Sequence, residues 1–365
     1  MILYKVGCNF DYELIYGLTE LNKIDPKVKV NELYGSDRQH AYLTARPDFR
    51  LVDIDMNSFG KYVKCCRDAG IRFNYTMNTI YPGSKRELNS RWNEIKDFVK
   101  YLESLGVEIV TVSNPLLAVL VREASCTIQI EVSTVAHIDT VSQIAVWKDK
   151  FNVSKVCGNL LKNRSIKFLR NAATWCNKND IVYDLMVNEF CGNAGILGKN
   201  TYGTHCIYRD SCYQCHAENI SLEDAQLIYN YPYDYCISSR NSDFSSWLKM
   251  RFIRPEDIEK YEGIGINNFK ITGRTGGTEY ILKVVEGYIR KSWNGNLLSL
   301  WKQLETIYSN ENELEFKQTT LIDNKKLNGF IDYWFDNLNH ECADEICGAT
   351  CSYCNDFYYS KTRII

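Results

Sequence analysis

Residues 2–34 read ILYKVGCNFDYELIYGLTELNKIDPKVKVNELY, and this stretch decides the fold. Two short runs rich in Val, Leu, Ile and Tyr, Ile2–Cys8 and Lys29–Tyr34, have the composition of buried β-strands. Between them, Asp11–Asn22 repeats its apolar residues at helical intervals. Strand, helix and strand make one βα unit. The alternation continues outward, with strands expected at Arg72–Met77, Glu108–Val112, Ile128–Val132, Val153–Cys157, Ile181–Val187 and Asn268–Ile271. Further helices are expected at Met56–Ala69, Ser90–Leu105, Ile138–Lys148 and Ser165–Asn177. This order predicts an α/β protein built on a (βα)8 TIM-like barrel closing near Arg274.

The barrel is expected to occupy residues 1–290, interrupted before its last strand by a Cys-rich insertion, 191–265, that is too long for an idle loop. Residues 291–365 read as a helical C-terminal extension. Its helical stretch is NLLSLWKQLETIY from Asn296, and its Cys-rich tail is expected to fold back over the barrel rim.

In such a barrel the loops after the strands converge on one rim, where chemistry is built. Here those loops carry Asn9, Gly35-Ser36-Asp37, Asn78, Ser113-Asn114, Ser133-Thr134, Asn163-Arg164, Asn188-Glu189 and Gly273-Arg274. Glu189 follows a strongly apolar strand, the position of a general base or of an anchor for a polar substrate. Arg274 stands in a turn after the last strand and has the fork to hold a carboxylate. With Asn78 these are the candidate catalytic residues; Tyr75, Arg164 and Arg254 are candidate substrate-binding residues. A salt bridge between Glu189 and Arg274 or Arg254 is the plain structural alternative. Lys270, inside the last strand, is expected to point inward or pair with an acid.

With 365 residues, 45% of them hydrophobic, the chain has enough apolar material for a sizeable core. Its formal net charge of -2 gives no general attraction to phosphate backbones. The longest apolar run, PLLAVLV at Pro115–Val121, is too short to cross a membrane. The chain opens on a strand-like segment without the pattern of a secretory signal, so a cytoplasmic location and no membrane partner are expected.

Of the 15 cysteines, Cys8, Cys65, Cys66, Cys126, Cys157 and Cys176 lie in apolar or helical patterns and read as small buried hydrophobes. The others form two groups: Cys191, Cys206, Cys212, Cys215 and Cys236 in the insertion, and Cys342, Cys347, Cys351 and Cys354 in the tail, HECADEICGATCSYC. In a reducing compartment thiolates at such spacings hold a metal rather than each other. Zinc and an iron–sulfur cluster both suit the ligand type, and spacing alone does not separate them. His205, His216 and His340 flank these cysteines as ligands or hydrogen-bond donors, or simply as exposed neighbours.

Three passages resemble peptidase family U32, the collagenase-like peptidases. They are ELYGSDR (Glu32–Arg38) with RFNYTMN (Arg72–Asn78); LMVNEFC (Leu185–Cys191) followed by CIYR (Cys206–Arg209); and FIRPEDIEKYEGIGINNFKITGR (Phe252–Arg274). The resemblance covers residues 1–290 and implies a (βα)8-like barrel. In the iron–sulfur-containing branch it also implies a cysteine-ligated [4Fe–4S] cluster near the barrel mouth. Better understood members of the family resemble oxygen-independent hydroxylases or RNA-modifying proteins. They act on a quinone precursor, tRNA or ribosomal RNA, some with prephenate as oxygen donor. Carried over by motif, Cys191, Cys206 and Cys236 match three cluster ligands. The spacer GNAGILGKNTYGTH is longer than the family pattern, which leaves the fourth ligand open among Cys212, Cys215 and a tail cysteine.

No Ser/His/Asp order stands out, and HExxH, GxGxxG and P-loop motifs are absent, which counts against proteolysis. The expectation is an iron–sulfur oxidoreductase with one [4Fe–4S] cluster or two. It would carry out an oxygen-independent hydroxylation, or a related redox modification, on a small aromatic molecule, an RNA base or a peptide, with or without a protein partner completing the site. The alternatives are a U32-type peptidase acting on peptides and a zinc-stapled binding module.

Overall fold

The computed structural model describes residues 1–46, 51–189, 243–301, 322–342, 345 and 348–362. Its centre is a closed barrel of parallel strands in sequence order: β1 Ile2–Gly7, β2 Val28–Gly35, β3 Arg72–Met77, β4 Ile109–Val112, β5 Gln129–Val132, β6 Lys155–Cys157, β7 Val182–Met186 and β8 Asn268–Ile271. β8 returns to pair with β1, Tyr4 opposite Phe269 and Lys5 opposite Lys270. The expected (βα)8 barrel is therefore the fold. Side chains alternate between the barrel interior and the helix layer, as the pleat requires. On β3, Phe73 and Tyr75 turn outward onto the rings of Phe59 and Phe98, while Asn74 turns inward.

The surrounding helices are α1 Tyr12–Leu21, α2 Met56–Asp68, α3 Lys85–Ser104, α4 Pro115–Ala124, α5 Val141–Phe151 and α6 Ile166–Lys178. Capping chemistry sets their limits more sharply than apolar spacing does. α3 begins at Lys85 rather than Ser90 because Ser84 and Glu87 close a reciprocal capping box. α5 is shifted toward the C-terminus for the same reason, with Thr140 and Gln143 forming the box and Asn152 ending it in the left-handed region. The run PLLAVLV lies within α4, started by the Asn114 cap with Pro115 in the first turn. No helix among the described residues is long and apolar enough to cross a membrane.

The helices Ile258–Glu262 and Thr278–Ile289 flank β8. The C-terminal region contributes Leu297, Leu327, Phe330, Trp334 and Tyr358 to the same buried cluster as the barrel helices. Where a long helix was expected from Asn296, a single 3-10 turn spans Leu297–Leu300; residues 302–321 lie outside the described residues.

Candidate functional site

Each strand sends a polar side chain inward: Lys5, Glu32, Asn74, Thr111, Glu131, Lys155, Asp184 and Lys270, from β1 to β8 in turn, all buried. Most of them knit into one network. The Lys5 ammonium crosses the barrel to Glu131 and pairs with Asp184 at 2.7 Å. Lys155 pairs with Glu32 and lies 3.6 Å from Glu131. The Asn74 amide donates to both Glu32 and Glu131 at 2.8 Å and accepts from the Thr111 hydroxyl at 2.7 Å.

Burial acts to raise the Glu131 carboxyl, but Lys5, Lys155 and Lys270 outweigh it and bring the pKa down to about 2. Burial dominates at Asp184 and pushes it up, despite Lys5. Glu131, Cys157 and Asp184 present ligand atoms within 4.8 Å of one another, the separation a metal ion would need. The Lys5 ammonium already lies against both carboxylates, so the positive charge an ion would bring is supplied by the chain.

At the mouth end of the barrel lies a pocket lined by Tyr34, Arg46, Asn78, Ser133, Glu189, Lys270, Thr272 and Arg274, among others. Local geometry aims these residues. Gly273, at φ 117°, makes the turn that delivers Arg274, a conformation that side chains resist. A Cβ at Gly7 would meet the Tyr34 hydroxyl at 3.2 Å and Arg274 at 3.3 Å, so a bare backbone lets both close over β1. Asn188 ties the end of β7 to the end of β8: its amide donates to the Thr272 carbonyl at 3.0 Å and its oxygen accepts from the Thr272 N–H at 2.7 Å. The Asn78 carbonyl oxygen accepts from the Ala45 N–H at 3.2 Å, and its amide donates to the Ser133 hydroxyl at 3.4 Å.

Lys270 differs from the other two barrel lysines. It is 5% exposed, and its ammonium lies 4.2 Å from the centre of the Tyr34 ring. Lys5 and Lys155 are both salt-bridged; Lys270 has no hydrogen-bond acceptor or carboxylate partner among the described residues. Burial, and next the charge of Lys5, lower its pKa. The expectation that it points inward holds, and the acid partner is not there. Arg46, Lys270 and Arg274 share the pocket wall with one carboxylate among its lining residues, that of Glu189.

The structure thus brings Glu189, Arg274 and Asn78 together, and it removes three expected substrate contacts. Tyr75 lies on the outward parity of β3, fully buried, its hydroxyl donating to Asp37 at 2.5 Å. Arg164 is buried beneath the C-terminal region, donating to the carbonyls of Leu248 at 2.9 Å and of Met250, with its guanidinium 4.4 Å from the Trp334 ring centre. Arg254 forks onto its neighbour Asp257 at 2.7 and 2.9 Å and donates to the Asn324 carbonyl. All three hold the scaffold. Sequence reasoning missed the inward network, although it read Lys270 as pointing inward. The signal was there: a charged or amide residue at the same parity inside otherwise apolar strands, as in ILYKVG, QIEV and VYDLM.

Cys191, Cys206, Cys212, Cys215, Cys236 and Cys347 lie outside the described residues. Cys342, Cys351 and Cys354 line one cavity with Lys249, Arg251, Trp334, Glu345 and Asn355. The Trp334 indole N–H donates to the Cys342 sulfur at 3.1 Å. Arg164 Nη1 lies 3.9 Å from the Cys354 sulfur, and His340 Nε2 lies 3.9 Å from that of Cys351. Among the cysteines expected to be buried, Cys8, Cys66, Cys157 and Cys176 are; Cys65 is half-buried and Cys126 is exposed, at the polar end of α4.

Residues 35–187 match the profile of peptidase family U32. The chain is 25% identical over 372 residues to an uncharacterized protease of Methanocaldococcus jannaschii, covering 97% of this chain and 96% of that one. A solved U32 peptidase structure is similar at 14% identity and a TM-score of 0.49, over 75% of this chain and 93% of the other.

Proposed function

Residues 35–187 match peptidase family U32, and from that likeness we propose that the chain is an iron–sulfur-dependent enzyme of the barrel mouth. Its reaction is an oxygen-independent hydroxylation, or a closely related redox modification, of a substrate bearing an anionic group. The observation that carries this reading is Lys270, a buried ammonium facing the mouth pocket without an acceptor among the described residues. A buried charge of that kind is costly until a ligand neutralises it.

In this reading Lys270 and Arg274 receive the carboxylate or phosphate of the substrate, Arg274 through its planar fork. Asn78, fixed by Ala45 and Ser133, orients the bound molecule. Glu189 accepts the proton released when carbon is oxidised. Hydroxylation at carbon is a two-electron oxidation, so either an organic donor supplies the oxygen and is itself reduced, or water supplies it, two protons leave and an electron acceptor takes two electrons. Cys191, two residues after Glu189, would hold the iron–sulfur group with Cys206, Cys236 and either Cys212 or Cys215; when bound, it supplies one-electron transfer. A small aromatic acid fits the charge pattern best, and an RNA base or a peptide are the remaining substrates of this reading. A cytoplasmic setting suits thiolate ligation.

Peptide hydrolysis has less support. Ser133 is in the pocket, yet no histidine lines it among the described residues, and the Ser133 hydroxyl already accepts from Asn78 and from the Val135 N–H. The experiment is anaerobic incubation of the cluster-loaded chain with aromatic carboxylates and a high-potential two-electron acceptor, read by mass spectrometry. Gain of an oxygen atom by wild type, absent in Lys270→Met and Cys191→Ser, supports the reading. Cleavage of gelatin or peptides by iron-free Cys191→Ala protein overturns it in favour of a peptidase.

A further inference from the structure

We propose that Cys342, Cys351 and Cys354 hold a second, thiolate-ligated metal centre beneath the C-terminal tail, separate from the group assigned to the insertion. Three cysteines from one short stretch line a single cavity, and none of them is in a disulfide. Their sulfur atoms do not all lie within 4.8 Å of one another, wider than a single zinc ion requires, so the spacing suits a cluster. Thiolates sharing one cavity repel unless a cation binds them or their charge is compensated.

The compensation is built in. Lys249 and Arg251 line the same cavity, both less than a tenth exposed, and the Arg164 guanidinium reaches the Cys354 sulfur from behind. The Trp334 indole donates to the Cys342 sulfur, the kind of outer hydrogen bond that fixes and tunes a thiolate ligand. An iron–sulfur cluster with its thiolate ligands is anionic overall, and the cavity offers it Lys249, which Asp243 already pairs, Arg251 and the Trp334 N–H donor, beside the single carboxylate of Glu345. His340, 3.9 Å from the Cys351 sulfur, is a further donor of the right type at its edge.

The position has a structural consequence. Asp243, within the Cys-rich insertion, pairs its carboxylate with Lys249 at 2.9 Å in the wall of the thiol cavity. A metal in the tail would lock the C-terminal region, Arg164 and the Asp243–Lys249 segment into one unit.

The test uses the full chain, expressed and purified without oxygen with iron, sulfide and zinc supplied. Metal and acid-labile sulfide are measured in wild type, in Cys191→Ser and in the triple variant Cys342→Ser/Cys351→Ser/Cys354→Ser. The expected result is that the triple variant loses a full equivalent of one centre while Cys191→Ser keeps that centre; the metal lost identifies it as zinc or iron–sulfur. Metal content equal to wild type in the triple variant, with loss confined to Cys191→Ser, overturns this proposal and leaves the mouth reading standing. Loss in the triple variant alone has the opposite meaning. Should the triple variant not fold, alkylation of wild type decides. The three cysteines are expected to be shielded until a chelator strips the metal; equal labelling before and after the chelator, or a disulfide among them in the oxygen-free protein, overturns it.

Discussion

Lys5 and Lys270 are register partners on the paired strands β1 and β8, yet among the described residues only Lys5 of the two is salt-bridged. Two ammonium groups on neighbouring strands repel, and the barrel resolves this by giving Glu131 and Asp184 to one and the open mouth to the other. Structure and binding are thereby divided between two lysines of the same type.

Substitution separates them. Lys270→Met removes a buried charge with no salt-bridge partner among the described residues, so stability should stay within about 1 kcal/mol of wild type or rise. Turnover of an anionic substrate should fall by on the order of a hundredfold to a thousandfold, the size of losing one preorganised charged contact. Lys5→Met strands two carboxylates and should cost about 3–5 kcal/mol. Urea unfolding with steady-state kinetics checks both; a strongly destabilised Lys270→Met would place that ammonium in the scaffold.

The affinity for an anion should depend on pH through Lys270. Burial and the neighbouring Lys5 hold its pKa below the ordinary lysine value, and a bound anion raises it again. Binding therefore takes up a proton once the pH exceeds the lowered value, and affinity declines as pH rises through it. In the free protein the sign is opposite to that of a paired lysine: the native state binds fewer protons, so stability climbs with pH from the lowered value toward the unfolded one. Calorimetry in buffers of different ionisation enthalpy measures the uptake. Zero uptake at every pH up to the ordinary lysine range contradicts the assignment.

Acid should attack the network at Glu131. Its folded pKa of about 2 lies below its ordinary 4.5, so its contribution is full above the unfolded value and is lost as pH falls toward 2. Asp184, shifted upward by burial, works against this above its own ordinary value of 3.8. Glu131→Gln should flatten the dependence of the urea midpoint on pH between the two Glu131 values. An unchanged slope would mean that the carboxylate is not ion-paired in solution.

Arg164→Ala should release the C-terminal region. Stranding the carbonyls of Leu248 and Met250 costs about 1–3 kcal/mol for each one left without a donor. Lysine should not rescue, because one ammonium does not reproduce a planar fork shared by two carbonyls. Limited proteolysis should cut the tail of the variant first. An unaltered digestion pattern with lost substrate binding would return Arg164 to the substrate site.

The barrel was legible because β-branched and aromatic runs alternate with helical spacing, and Arg72–Met77 and Asn268–Ile271 lie where those runs place them. Helix starts were less legible, since the Ser84 and Thr140 capping boxes stand outside the apolar periodicity. At the mouth, Glu189, Arg274 and Asn78 follow from strand ends alone. Tyr75 did not, because one step of pleat parity turns a side chain from the interior to the helix layer. Arg164 and Arg254 stand beside strands and loops of the right face, and only the packing of a distant C-terminal region reveals that both are consumed by it.

The most direct test is electron paramagnetic resonance of the reduced chain, purified without oxygen, with and without an aromatic carboxylate. An iron–sulfur signal that the ligand perturbs in wild type but not in Lys270→Met is the predicted result, because it ties the electron carrier to the anion at the mouth. A protein that takes up no iron, or a signal indifferent to ligand in both forms, would contradict it.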